Sequence, residues 1–123
     1  MRIKVSEATP VQLDYLVAEC EGFDIVKDPF GFQSGLEAGW WIDRGGRYHR
    51  IGGGYSPSTL PEQSWPILDR EKITPWWSAS NNCWMASKYG VDVKTYGEDS
   101  LIAAMRCWVI SLFGPEVEVP DGL

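Results

Sequence analysis

Residues 100–113, Ser100-Leu101-Ile102-Ala103-Ala104-Met105-Arg106-Cys107-Trp108-Val109-Ile110-Ser111-Leu112-Phe113, constrain the fold more than any other stretch. On a helical wheel, Leu101, Met105, Trp108 and Leu112 share one face, with Ile102 and Val109 beside it. Ala103, Ala104 and Ile110 leave little polar surface on the remaining turns. A helix apolar nearly all round must lie at the centre of a core or be covered by another subunit. The second option makes a homodimer through this helix an expectation to examine. Asp99 suits the N-cap, and Gly114-Pro115 is a typical stop. The run is shorter than the roughly 20 residues of a bilayer span and contains Arg106, so no membrane role is expected.

The other elements follow from local signals. Thr9, Pro10 and Gln12 spell a capped helix start, and Leu13, Leu16, Val17 and Cys20 form one apolar stripe ending at Gly22. Asp14, Glu19 and Glu21 lie off that stripe. Ile3-Lys4-Val5 reads as a short strand. Trp40-Trp41-Ile42 and Tyr48-His49-Arg50-Ile51 flank a Gly-containing turn as a hairpin, and Gly52-Gly53-Gly54 reads as a flexible joint. Ser64 and Pro66 predict a short helix over Pro66 to Lys72. Segments 76–79, 83–87 and 91–96, with Asn81-Asn82 in a turn, predict a β-meander. Together these give one α+β domain over residues 1–115. Its sheet is formed mainly by residues 74–96 and packs with the first, middle and last helices. Residues 116–123 are expected to be an acidic, frayed tail.

Composition narrows the function. The 123 residues carry 11 Lys+Arg against 17 Asp+Glu, a formal net charge of −6. With no cationic excess to displace counterions, nucleic-acid binding is not expected. Cys20, Cys83 and Cys107 are odd in number and widely spaced, and Met1–Ser6 lacks an apolar run, which reads as a protein of the reducing cytosol. His49 is the single histidine, so no metal site of usual spacing forms, and no cofactor is implied. Gly52-Gly53-Gly54 lacks the Gly-Lys-Ser/Thr of a phosphate loop. Asp69 and Glu71, two apart on a helix, point in different directions and make a poor acid/base pair. No catalytic set emerges.

Two kinds of candidate site remain. Tyr55-Ser56-Pro57-Ser58-Thr59 gathers hydroxyls in one loop, either to satisfy the backbone or to hold a ligand; Tyr55, Ser56, Ser58 and Thr59 are its candidate residues. Trp40-Trp41 and Trp76-Trp77 are adjacent pairs, and in strands one of each pair faces away from the core. Trp41 and Trp76 are the candidates for a partner surface. Arg106, beside the apolar helix face, is either an anion-binding group or a side chain that snorkels to a carboxylate.

These residues carry a family resemblance. Val5-Ser6-Glu7 with Leu13-Asp14-Tyr15-Leu16-Val17-Ala18-Glu19-Cys20-Glu21-Gly22 resembles the N-terminal signature of the NinX-like phage and prophage proteins. Tyr55-Ser56-Pro57-Ser58-Thr59 with Pro66-Ile67-Leu68-Asp69-Arg70-Glu71 is similar to their central segment. Leu101-Ile102-Ala103-Ala104-Met105-Arg106 through Phe113-Gly114, with Glu116-Val117-Glu118-Val119-Pro120, is similar to their C-terminal part. Leu60-Pro61-Glu62-Gln63 and Asp99-Ser100 depart from the family's Asp-Trp-Ala-Gln-like and Thr-Pro runs. The resemblance implies a small three-layer α/β/α sandwich of phage origin and no catalytic residues. The expected function is a non-enzymatic phage accessory protein that binds a host or phage protein in the host cytosol. The alternative is a protein that sequesters a small molecule such as a nucleotide, using Tyr55–Thr59, Arg106 and a Trp.

Overall fold

The computed structural model describes residues 1–123. Eight strands and three α-helices follow one another as β1 (Arg2–Lys4), α1 (Pro10–Cys20), β2 (Asp24–Lys27), β3 (Trp40–Arg44), β4 (Arg47–Arg50), α2 (Pro61–Glu71), β5 (Ile73–Ser78), β6 (Cys83–Lys88), β7 (Lys94–Gly97), α3 (Ser100–Phe113) and β8 (Glu116–Glu118). The strands pair antiparallel, in three small sheets ordered β1-β8, β2-β3-β4 and β5-β6-β7, and one isolated parallel bridge joins Ile51 to Tyr55. The class is α+β, as the patterning predicts. The expected meander is one of the three sheets.

The helices begin where their capping residues place them. Thr9 Oγ1 accepts the Gln12 N–H at 3.3 Å and Gln12 Oε1 accepts the Thr9 N–H at 3.0 Å, a reciprocal capping box. Asp99 Oδ1 accepts the Ile102 N–H at 2.9 Å at the start of α3. Helix α2 starts five residues before the Pro66 of the sequence reading: Pro61 takes the first turn and Pro66 sits inside the helix. Ser64, read as the cap, is buried in α2 and bonds back to the Leu60 and Pro61 carbonyls.

Helix α3 is central to the protein's own core. Residues Ile102 through Val109 are all buried, against Leu13, Leu16 and Val17 of α1 on one side and Ala86 of β6 on another. Covering by a second subunit is therefore not needed, and only Leu112 and Phe113 of its last turn are exposed large hydrophobics. No helix is long and apolar enough to cross a membrane. A smaller cluster of Ala18, Ile42, Ile51 and Tyr55 ties the far side of α1 to the β2–β4 sheet.

The layering thus differs from a sheet held between helices. Helices α1 and α3 lie between the β5–β7 sheet and the β2–β4 sheet. Trp76, Met85 and Tyr96, paired in one row across β5, β6 and β7, occupy the opposite face of their sheet and join neither core cluster. The sequence pattern shows which residues of a strand share a face but not which neighbour covers it.

The tail corrects another expectation. Residues 116–118 are not frayed but form β8, with Arg2 opposite Glu118, Ile3 opposite Val117 and Lys4 opposite Glu116. Val117 and Val119 are buried, and Arg2 Nε donates to Glu116 at 3.3 Å. Alternating charges meet their opposites and the valines reach the core, which offsets the entropy of ordering the segment.

A polar clamp joins three helices. Arg70 of α2 donates twice to Glu21 after α1, at 3.0 and 2.6 Å, and the Trp108 indole N–H of α3 donates to the same carboxylate at 3.2 Å. Glu21→Ala should cost about 2 kcal/mol, because it removes a charge-assisted pair and leaves the indole N–H without its acceptor. Urea unfolding followed by circular dichroism checks this, and an unchanged midpoint would show that the clamp contributes nothing.

Candidate functional site

The Tyr55–Thr59 loop is built inward. Asp14, one turn into α1, is only 1% exposed and accepts the Ser56 hydroxyl at 2.7 Å and the Ser58 N–H at 2.8 Å. Gln63 of α2 grips the same loop from the other side: its Oε1 accepts the Ser56 N–H at 2.6 Å and its Nε2 donates to Gly54 C=O at 2.7 Å. Ser58 Oγ donates to Pro10 C=O at 3.3 Å, and the Ser56 and Thr59 hydroxyls bond each other at 2.8 Å. Burial raises the Asp14 carboxyl above its ordinary pKa, against the downward pull of those Ser56 and Ser58 bonds. Tyr55 is buried edge-on to Phe23 at 5.6 Å, its hydroxyl without a partner. The Ser56, Ser58 and Thr59 hydroxyls are committed to internal bonds, so they form a clasp between α1 and α2, while the buried Tyr55 hydroxyl is left unpaired.

The glycine run before the loop is packed rather than a loose joint. A Cβ on Gly52 would lie 2.7 Å from Val11 Cγ2, and one on Gly53 would lie 2.6 Å from an Arg50 guanidinium nitrogen. Glycine is required at Gly52, where φ is 85° and Val11 closes in, whereas at Gly53 the neighbour is the movable end of Arg50.

The remaining candidates are dispersed. Arg106 is buried and donates to Tyr96 C=O at 2.9 Å and Ala8 C=O at 3.2 Å, with Glu98 at 3.7 Å. It ties the edge of β7 to the segment before α1. Trp76 is half-buried on the uncovered face of β5–β7, and Trp41 is half-buried on the outer face of β2–β4, with its indole N–H donating to Glu37 C=O at 3.0 Å. Arg106, Trp76, Trp41 and the Tyr55 loop do not converge on one cavity.

The structure assembles instead an aromatic group that the sequence pattern did not single out. Phe30 stands edge-on to Trp41 at 5.3 Å, to Tyr48 at 5.4 Å and to Phe32 at 6.3 Å. Phe30 is 58%, Phe32 55% and Tyr48 38% exposed. The segment is held by Asp28, whose two carboxylate oxygens accept the Phe32 and Gln33 N–H groups at 2.7 and 2.8 Å. Asp28 and Gln33 both have left-handed backbone, φ 48° and 69°, so two non-glycine residues bear strain to present these rings. Asp28-Pro29-Phe30-Gly31 registers in sequence as a turn alone. The signal available was the position of Trp41 and Tyr48 on one face of the predicted hairpin.

A family model described as bacteriophage P22 NinX matches residues 4–112. The chain belongs to that family. The match spans the Asp14 clasp, the Phe30 group and almost all of α3 in this NinX-family protein, which is therefore a phage-family protein. A comparison with curated proteins gives no match.

Proposed function

We propose that this phage protein is a non-enzymatic accessory factor that acts in the host cytosol by binding a protein partner. The Phe30, Phe32, Trp41 and Tyr48 surface is its contact patch. The carrying observation is the exposure of Phe30 at the centre of three edge-on aromatic contacts, on a loop strained to hold it outward. Aromatic residues and arginine dominate the energetic centres of protein interfaces, and Arg50 pairs across β3–β4 with Trp41. The alternative of a nucleotide-sequestering site on Tyr55–Thr59 gains little from the geometry, since the Ser56, Ser58 and Thr59 hydroxyls are spent on Asp14, Pro10 C=O and one another and the unpaired Tyr55 hydroxyl is buried.

The test is native mass spectrometry of the tagged protein captured from a phage-carrying host, alongside Phe30→Ser. Wild type should retain a stoichiometric protein partner, and Phe30→Ser should lose about 90% of it while melting within a few degrees of wild type, roughly the effect of an interface hot spot. Retention of a small molecule with no protein partner, or full retention by Phe30→Ser, would overturn the proposal.

A further inference from the structure

We infer that the partner docks as an extended segment that pairs with the open edge of β2, placing a carboxylate opposite Lys27 and an apolar residue opposite Val26. This rests on the contact patch proposed above and names the form of what reaches it.

The outward main-chain groups of β2 are unpaired along its length. Asp28 N–H donates to Gly39 C=O, which puts the β2–β3 bonds on even-numbered β2 residues and turns the N–H and C=O of Ile25 and Lys27 outward. The other edges are each obstructed at one position, although Tyr48 of β4 keeps its outward N–H and C=O unpaired. On β4, Arg50 C=O takes the N–H groups of Gly53 and Tyr55 as the chain folds back. Pro75 removes the central outward donor of β5. On β7, Arg106 donates to Tyr96 C=O.

The chemistry of the occupant follows from what lines this edge. Val26 pairs with Trp41, on which Phe30 packs, so a partner residue opposite Val26 lies beside the aromatic patch. Lys27, Arg44, Arg47 and Arg50 gather on or beside this sheet with no carboxylate within 4.0 Å, as is also true of Lys4, Lys72 and Lys94 elsewhere, and Lys27 and Arg44 lie over the rings of Trp40 and Phe23. Of the neighbouring carboxylates, Asp28 is engaged by Phe32 and Gln33 and Asp43 by the Gly46 N–H at 2.8 Å, while Asp24, at the far end of β2 from Lys27, is exposed and unengaged. An alternating acidic and apolar strand complements this arrangement. The protein uses the same pairing internally, where Glu116-Val117-Glu118 lies against Arg2-Ile3-Lys4. Strand addition draws affinity from main-chain bonds and selectivity from alternate side chains.

The probe is a short fluorescein-labelled peptide of alternating Glu and Val, read by anisotropy, with a Lys-for-Glu version as comparison. Saturable binding with Kd of about 100 μM is expected for the acidic peptide and at least tenfold weaker binding for the basic one, roughly one strand's main-chain and charge contribution. Lys27→Pro should weaken it about tenfold, since it deletes an outward N–H as Pro75 does and spares the β2–β3 ladder. Lys27→Gln should weaken it about threefold through charge alone. N-methylation of one alternate set of peptide amides should abolish binding, and of the other set should not, a signature independent of whether Lys27→Pro folds. No saturable binding, equal binding of the basic peptide, or indifference to which amides are methylated would overturn strand pairing. So would a protein that is already dimeric by sedimentation and stays so until Lys27→Pro, which would make a second copy the occupant. The two readings separate in the captured complex. Loss with Phe30→Ser but not Lys27→Pro leaves the patch and removes the strand. Loss with Lys27→Pro but not Phe30→Ser does the reverse.

Discussion

Gly97→Ala is expected to lower stability by about 3 kcal/mol and the melting temperature by about 10 °C, the largest single-methyl effect in the chain. Gly97 ends β7 opposite Trp84, and its backbone is not in the left-handed region, so the conformation itself would accept alanine. The obstacle is contact. An added Cβ would sit 2.4 Å from the Ala103 nitrogen and 2.9 Å from its Cα, both main-chain atoms of α3. Helix α3 cannot retreat, because its other side is packed on Leu13, Leu16 and Val17 of α1. Nor can it slide, since Thr95 Oγ1 donates to Ala103 C=O at 2.7 Å and Arg106 holds Tyr96 C=O. The strain therefore goes into the central helix–sheet contact. Gly54→Ala is the control: its Cβ would meet only His49 and Arg50 atoms at 3.8 to 4.0 Å, and its stability should stay within about 0.5 kcal/mol of wild type. Urea melts of both variants check this, and an unshifted Gly97→Ala would mean that α3 and β7 are less tightly apposed than their distances indicate.

How much of this was legible in the sequence depends on how far apart the partners lie. The caps at Thr9 and Asp99 were readable because donor and acceptor are three residues apart. The apolar character of α3 was readable too, and it left two options that the burial of Ile102–Val109 resolves in favour of the chain's own core. The alternation rule put Trp40 and Trp41 on opposite faces, and Trp40 is the one that packs against the smaller core cluster. It says less about Trp77, which shares the face of Ala86 but lies half-exposed, edge-on to Trp84 at 5.8 Å.

Contacts distant in sequence were not readable. Glu116-Val117-Glu118 looks like a solvated tail until Arg2-Ile3-Lys4 is brought beside it from the other end of the chain. Asp14 looks like a surface residue off the apolar stripe, because Ser56 and Ser58, 42 and 44 residues later, are what bury it. Phe30 reads as part of a turn because its ring partners, Trp41 and Tyr48, come from two later strands. The hydroxyl-rich loop drew attention as a ligand site for the same feature that makes it a clasp. Hydroxyls near a ligand and hydroxyls near a buried carboxylate look alike in sequence.

That clasp carries the second large effect. Asp14→Ala should cost about 3 kcal/mol, because it strands the buried Ser58 N–H and removes the main acceptor of Ser56 Oγ. Asp14→Asn should be far milder: its amide oxygen still accepts from Ser58, and Ser56 Oγ can donate to Thr59 while accepting from the amide. The comparison also has a pH dependence of definite sign. Burial raises the folded pKa of Asp14 above its unfolded value of about 4, so the folded state holds the proton more tightly than the unfolded state. The stabilisation linked to that proton is fully present below the unfolded pKa and is lost as pH rises through the folded one. Wild type should therefore stand highest relative to Asp14→Asn in acid and lose that lead towards neutral pH, while carboxylates common to both proteins cancel. Urea midpoints measured for the pair at a series of pH values from about 4 upwards test this directly. A difference that stays constant with pH would show that Asp14 titrates normally, and one that grows towards neutral pH would show that the Ser56 and Ser58 bonds outweigh burial.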